Sequence, residues 1–264
     1  MTSIIRVVTL QYRTKCTRDT VRVAVVTPYY QEDESTLWQC HNSVLTQGHP
    51  CEHIMVADGH PIAAINGWQC HHSTLPLSHN DNGNTPRTIG SLFAINQGFD
   101  AIAYLDADNW YQPNHIASLV KAHHEQAAPV CASERSLHRA DGSLLPVSEP
   151  FDGIRHIDTS CLFLTRDAFN LCPLWAMMPS MLSPICDRLF YTALTGSNLK
   201  IAYTRLQTLA FRSQYACHYE YAGETAPPGA KADVTRDPIR QWNSLEDEQR
   251  QMYFRRMGFS FFLE

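Results

Sequence analysis

Two aspartates one residue apart, Asp106 and Asp108, follow the apolar stretch Ala101 to Leu105. Carboxylates this close repel each other, and burial sharpens the repulsion. A divalent cation relieves it, because Mg²⁺ or Mn²⁺ takes carboxylate oxygens and keeps positions open for phosphate oxygens. The same spacing also occurs in solvated turns, so the pair points to a metal and phosphate site only because an apolar strand runs into it. Tyr29-Tyr30 and Asp58-Gly59 stand at the ends of two other apolar runs. A histidine group, Cys70-His71-His72 with His79, lacks the second C-x-x-C or H-x-x-x-H pair expected of a zinc site and reads as a polar loop.

The elements that must hold these residues alternate. Val23 to Thr27 is a short β-branched run stopped by Pro28, as a buried parallel strand would be. Asp33 to Gln47 carries Leu37, Cys40, Val44 and Leu45 at helical spacing and is stopped by Gly48 and Pro50. Ile54 to Ala57 is a second strand, and residues 66–86 read as a long loop with room for one short strand. Ile89 to Gly98 fits a helix with Ile89, Leu92, Phe93 and Asn96 on its rows; Ala101 to Leu105 is a third strand. A helix from about Asn114 to Gln126 places Ile116, Leu119, Val120 and His123 on one face. Strand, helix, strand, helix, strand, helix predicts a parallel sheet covered on both faces, with ligands beyond the carboxyl ends of its strands. All three polar clusters occur at such ends, so three separate stretches of chain converge on one rim.

The second half is less regular. Val130 to Ser133, Ser160 to Leu164 and Leu199 to Tyr203 read as strands. Ser183-Pro184 suits the cap and first position of a helix through about Leu194, closed by Gly196. Residues 223–240 read as flexible, and Asn243 to Met257 as a helix with Asn243 and Glu246 as a capping box.

Composition sets bounds on this reading. The 264 residues are enough for one large α/β domain or a domain with a small appendage, 44% hydrophobic and 18% charged. A net charge of -5 gives no global attraction to nucleic acid or anionic membrane, so a phosphorylated ligand must be met locally. The nine cysteines are scattered without a C-x-x-C pair, which suits free thiols in a reducing cytosol. Met1 to Leu10 lacks the h-region of a signal peptide, and no apolar run is long enough to span a membrane. The expected location is cytoplasmic, with room for peripheral contact at the inner face of the membrane.

Residues 23–32 (VAVVTPYYQE) resemble the opening strand of family 2 glycosyltransferases of the GT-A fold. Val56-Ala57-Asp58-Gly59 is similar to that family's second strand and acidic turn, Ala94 to Gly98 to the helix before its D-x-D strand, and Tyr104 to Asn109 to that strand. Order and spacing match from about residue 23 to 125, and more loosely to about 220. The resemblance implies a single GT-A domain with a mixed, mostly parallel sheet flanked by helices. Within it, about 20–125 would bind the nucleotide, about 126–222 the acceptor, and 223–264 would be linker and C-terminal helix.

The resemblance also implies roles. Thr27, Pro28 and Tyr29 would border the base, with a ring of Tyr29 or Tyr30 packed on it, and Asp58 would hydrogen-bond it. Arg87 would face the pyrophosphate or donor sugar, and Ala107 would line the donor beside Asp106, near the ribose and metal. Asp108 would bind the metal directly, with His218 as a late third ligand. Asp187 would be the catalytic base, although Cys186 stands where the family usually has Glu, and Asp158 would line the acceptor pocket. The expected reaction is inverting transfer of a sugar from a nucleotide-sugar donor, foremost a UDP-sugar, to a carbohydrate or other hydroxyl acceptor, assisted by Mn²⁺ or Mg²⁺. Rival readings are a nucleotidyltransferase, which would show a Gly- and Arg-rich loop after the first strand, and a non-catalytic nucleotide-sugar-binding domain. The aromatic and Arg-rich tail from Met252 to Leu263 would dock on the main domain, pair two copies or rest on a membrane.

Overall fold

A computed structural model describes residues 20–147, 156–232 and 234–263. The Met1 to Leu10 stretch and Cys16 lie outside the described residues. In chain order the elements are β1 (Val23–Tyr29), α1 (Glu34–Leu45), β2 (Cys51–Ala57), β3 (His71–Thr74), α2 (Asn84–Asn96), β4 (Ala101–Tyr104), β5 (Trp110–Tyr111) and α3 (His115–Gln126). Then follow β6 (Val130–His138), β7 (Leu162–Thr165), α4 (Leu174–Met177), α5 (Cys186–Gly196), β8 (Ile201–Arg212), α6 (Ala216–Tyr221), α7 (Arg236–Asn243) and α8 (Asp247–Met257).

All eight strands form one sheet in the order β3-β2-β1-β4-β7-β6-β8-β5. The pairs β1–β2, β2–β3, β1–β4 and β6–β8 are parallel; β4–β7, β6–β7 and β5–β8 are antiparallel. Every residue of β1 and of β4 is buried, which matches their near-continuous apolar sequence and helices on both faces. Pro28 is tolerated inside β1 because β4 pairs only as far as Val26, opposite Tyr104. Beyond that point β1 and β4 diverge, and a crevice opens at their carboxyl ends.

The α2 helix begins at Asn84 and turns a different face inward from the one its apolar residues suggest. Gly90, Ser91 and Ala94 are buried, while Ile89, Leu92 and Phe93 are 39%, 43% and 37% exposed. Close packing is the reason. A Cβ on Gly90 would stand 2.5 Å from Cγ1 of Val26, so only small residues fit between α2 and β1.

Ser183-Pro184 does not cap α5 but lies in a 3₁₀ turn, Ser180–Ile185, that leads into it. The β8 strand runs nine residues past Tyr203, to Arg212. The segment read as flexible contains the start of α7, whose Trp242 is 2% exposed and packs against Phe254 and Phe261. The capping box of α8 is formed by Glu246 and Gln249 rather than Asn243 and Glu246. The α8 helix is docked on the main body, with Arg256 donating to the Ala176 carbonyl at 2.7 Å. Among the described residues no cysteine forms a disulfide, and no helix is long and apolar enough to cross a membrane.

Candidate active site

Asp106-Ala107-Asp108 emerges from β4 and is tied on several sides. Ser160 Oγ accepts from the Asp106 N–H at 3.0 Å, and the Asn109 N–H donates to the Asp106 carbonyl at 3.0 Å. Arg212, at the end of β8, donates through Nε to the Asp108 carbonyl at 3.1 Å, and its backbone N–H donates to Asn109 Oδ1 at 3.0 Å. Its guanidinium lies over Trp110, 5.1 Å from the ring centre. The short β5–β8 pairing brings these groups together, so β8 holds the acidic segment that β4 delivers.

The two carboxylates have different partners. Asp106 Oδ1 lies 2.7 Å from Nη2 of Arg87, whose side chain is 3% exposed. Arg87 also donates to Asn84 Oδ1 at 3.1 Å and covers the Trp175 ring at 4.8 Å, while its Nε has no hydrogen-bond partner among the described residues. Asp108 Oδ2 accepts from Gln214 Nε2 at 3.0 Å. Burial first, then the charges of Asp106 and Glu32, push the Asp108 carboxyl up to about 7.

These groups line a cavity of about 830 Å³ at the carboxyl ends of the strands. Its walls include Pro28, Tyr29, Asp58, Arg87, Asp106, Ala107, Asp108, Asp158, Asp187 and His218, bringing together nearly every residue expected from sequence. Thr27 is the exception. It is fully buried, and its hydroxyl bonds His53 Nε2 at 2.8 Å, so its role is packing under the rim.

Several lining residues are already engaged. Tyr29 is 2% exposed and hydrogen-bonds His72 and the Ile62 N–H at 2.7 and 3.1 Å, whereas Tyr30 is 41% exposed, with its ring edge-to-face against His60 at 4.6 Å. Asp58 accepts from the His79 backbone and ring at 3.0 and 2.8 Å. Loop 80–83 forms the adjacent wall, pressed so close that a Cβ on Gly83 (φ +79°) would lie 2.8 Å from Pro28 Cγ. Asp158 bonds Arg135 at 2.7 Å and the Ser160 N–H at 2.9 Å; it is a joint whose neighbour Ser160 holds Asp106.

Also lining the cavity, Asp187 occupies the first turn of α5, where the helix dipole favours a carboxylate. Its Oδ1 accepts from the Arg188 N–H at 2.8 Å, and its Oδ2 lies 3.9 Å from Nε2 of His156. Burial raises the Asp187 carboxyl above the usual range, with His156 opposing. Cys186 beside it is a buried thiol pushed up to about 12 by burial.

Among the described residues, no three His, Cys, Asp or Glu side chains are gathered as a metal site. His218 bonds Ser213 Oγ through Nδ1 at 2.8 Å, so Asp106, Asp108 and His218 are not a preformed set of three ligands. The two carboxylates alone still fit a hard cation. Their oxygens suit Mg²⁺ or Mn²⁺, and a carboxyl raised to about 7 by burial and then by neighbouring carboxylates is one that gains from a cation.

Sequence reasoning did not single out Ser160, Arg212, Gln214, Arg135 or His156. Arg212 and Gln214 follow from the length of β8, which was read as ending at Tyr203. The signal was there in Thr208 to Phe211, a second apolar stretch of the same strand after the exposed Arg205 to Gln207.

Residues 24–143 match the family described as Glycosyl transferase family 2. No curated protein matches the sequence. Among solved structures, TarS of S. aureus superposes over 90% of this chain and 43% of its own, with a TM-score of 0.55 and 14% identity. The chain thus spans less than half of that protein's length. The shorter TarS 1-349 in complex with UDP superposes over 91% of this chain and 73% of its own, with a TM-score of 0.56 and 14% identity. The same fragment in complex with UDP-GlcNAc gives 90% and 71%, a TM-score of 0.52 and 13% identity. At these identities the likeness is one of fold.

Proposed function

We propose that the chain is a family 2 glycosyltransferase, the family that its residues 24–143 match, and that it moves a sugar from a UDP-sugar to an acceptor hydroxyl with inversion. The observation that carries this reading is the placement of Asp187 in the same cavity as Asp106 and Asp108. Donor and acceptor then enter the same space from the 20–125 and 126–222 halves of one domain. UDP is preferred as the nucleotide because structures of this fold hold UDP and UDP-GlcNAc.

In this mechanism Tyr30 packs on the base, and the 80–83 loop with Asp58 borders it. Arg87, buried and pinned by Asn84, orients Asp106. Asp108 and Asp106 would hold Mg²⁺ or Mn²⁺, which supplies charge to offset the leaving diphosphate. Asp187 takes the proton of the acceptor hydroxyl, whose oxygen attacks the anomeric carbon from the face opposite the nucleotide. One displacement inverts the configuration without a covalent intermediate. A hydroxyl-bearing sugar suits an acceptor wall built from Phe211, Tyr215 and Tyr221. The deciding experiment is titration with UDP, GDP and CMP, with and without Mn²⁺, repeated on Asp108→Ala. Mn²⁺-dependent binding of UDP that the substitution abolishes supports the reading, and metal-independent binding or none removes the metal assignment.

A further inference from the structure

We infer that His156 is a positioning residue through which Asp187 passes on the proton that it takes from the acceptor; the inference rests on the transferase reading above. A base that has collected a proton must lose it before the next turnover, and the Asp187 side chain, 28% exposed, has an imidazole beside it. Oδ1 is held by the Arg188 N–H at 2.8 Å, and Oδ2 faces Nε2 of His156 at 3.9 Å. Distances of this kind often tighten only when substrate is bound.

The other groups facing Asp187 are poor recipients. Asp158, on the turn that follows His156, is bound by Arg135 at 2.7 Å and by the Ser160 N–H at 2.9 Å. Tyr215, between β8 and α6, keeps its own proton, since burial and then the charges of Asp187 and Asp158 push its phenol up to about 12. Arg188, next on α5, is a cation with nothing to accept a proton. An imidazole can accept at one nitrogen and release from the other, which a carboxylate cannot, and the His156 side chain is 33% exposed against 28% for Asp187.

The step balances as follows. The acceptor O–H breaks and its proton goes to the Asp187 carboxylate. The acceptor oxygen bonds to the anomeric carbon as the bond from that carbon to the diphosphate oxygen breaks, its electron pair leaving with the nucleotide. The proton then passes from Asp187 to Nε2 of His156, and the other ring nitrogen gives up a proton to solvent.

The test follows UDP release from UDP-GlcNAc, UDP-glucose and UDP-galactose, with water as the acceptor, across the pH range of imidazole titration (about 5 to 8). Wild type, His156→Gln and His156→Gly are compared, the last with and without added imidazole. His156→Gln should lower kcat by about 10-fold or more, at the low end of what proton-transfer groups contribute, while KM for the donor stays put. The wild-type change of kcat with pH should flatten, and imidazole should restore turnover to His156→Gly. Unchanged kcat and pH profile in His156→Gln, or no rescue by imidazole, overturns the relay and leaves the transferase standing. No UDP release by the wild type from any of the three donors overturns the transferase reading and takes the relay with it.

Discussion

Arg87 and Asp106 meet at 2.7 Å, one almost wholly buried under α2 and the other a third exposed on the cavity floor. The pair joins the helix that packs on β1 to the acidic segment that leaves β4. Removing the anion strands the guanidinium among Trp175, Tyr104 and Cys186 without its counter-charge; a fully buried pair loses about 3–5 kcal/mol in this way, and the exposure of Asp106 makes the cost here smaller. Asp106→Asn is therefore expected to lower the melting temperature well below that of Asp108→Asn. Equal melting temperatures in thermal unfolding would show that Arg87 finds another partner.

Asp108 makes the opposite prediction. Its carboxyl is pushed up to about 7 from 3.8, so the folded state binds its proton more tightly than the unfolded chain does. That stabilisation is fully present below the unfolded value and is lost as pH rises through the folded one. The metal-free protein should thus lose stability between about pH 4 and pH 7, and Asp108→Asn should flatten that slope. Mn²⁺ should raise the melting temperature more at the top of this window than at its bottom, because it binds the ionised form. Melting curves across the window, with and without Mn²⁺, check both statements.

The first half of the fold was legible because period and composition agree there. VAVVTPY and AIAY are apolar throughout, as strands covered on both faces must be, and the acidic residues follow them directly. The face of α2 was not legible. Ile89, Leu92 and Phe93 have helical spacing, yet the distance to β1 admits only Gly90, Ser91 and Ala94, and no sequence pattern carries a distance. The site divides in the same way. Asp58, Arg87, Asp106, Asp108 and Asp187 stand in motifs, whereas Arg212, Gln214 and Ser160 act through contacts across 54 to 106 residues of chain.

Gly90 offers a clean probe of that packing. A Cβ at this position would lie 2.5 Å from Val26 Cγ1 and 3.3 Å from Val56 Cγ2, so Gly90→Ala pushes α2 away from the sheet. Overpacking of this kind costs about 1–3 kcal/mol, despite the better helix propensity of alanine. Arg87 sits one turn earlier and would move with the helix. Weaker UDP binding should accompany the lower stability, and calorimetry with the folded variant separates the two effects.

Asp187→Asn tests the assignment of the base against the bland account of a carboxylate placed by the dipole of α5. Asparagine keeps the shape and still accepts from the Arg188 N–H, so the helix start should survive. It cannot take a proton. Loss of a general base typically costs about 10²–10⁴-fold in turnover, and the loss should fall on kcat with donor affinity unchanged. A dipole role alone predicts a different pattern, with stability reduced by about 0.3–1 kcal/mol and turnover near that of the wild type. Donor hydrolysis and thermal unfolding on one preparation of Asp187→Asn distinguish the two, because each account moves the observable that the other leaves alone.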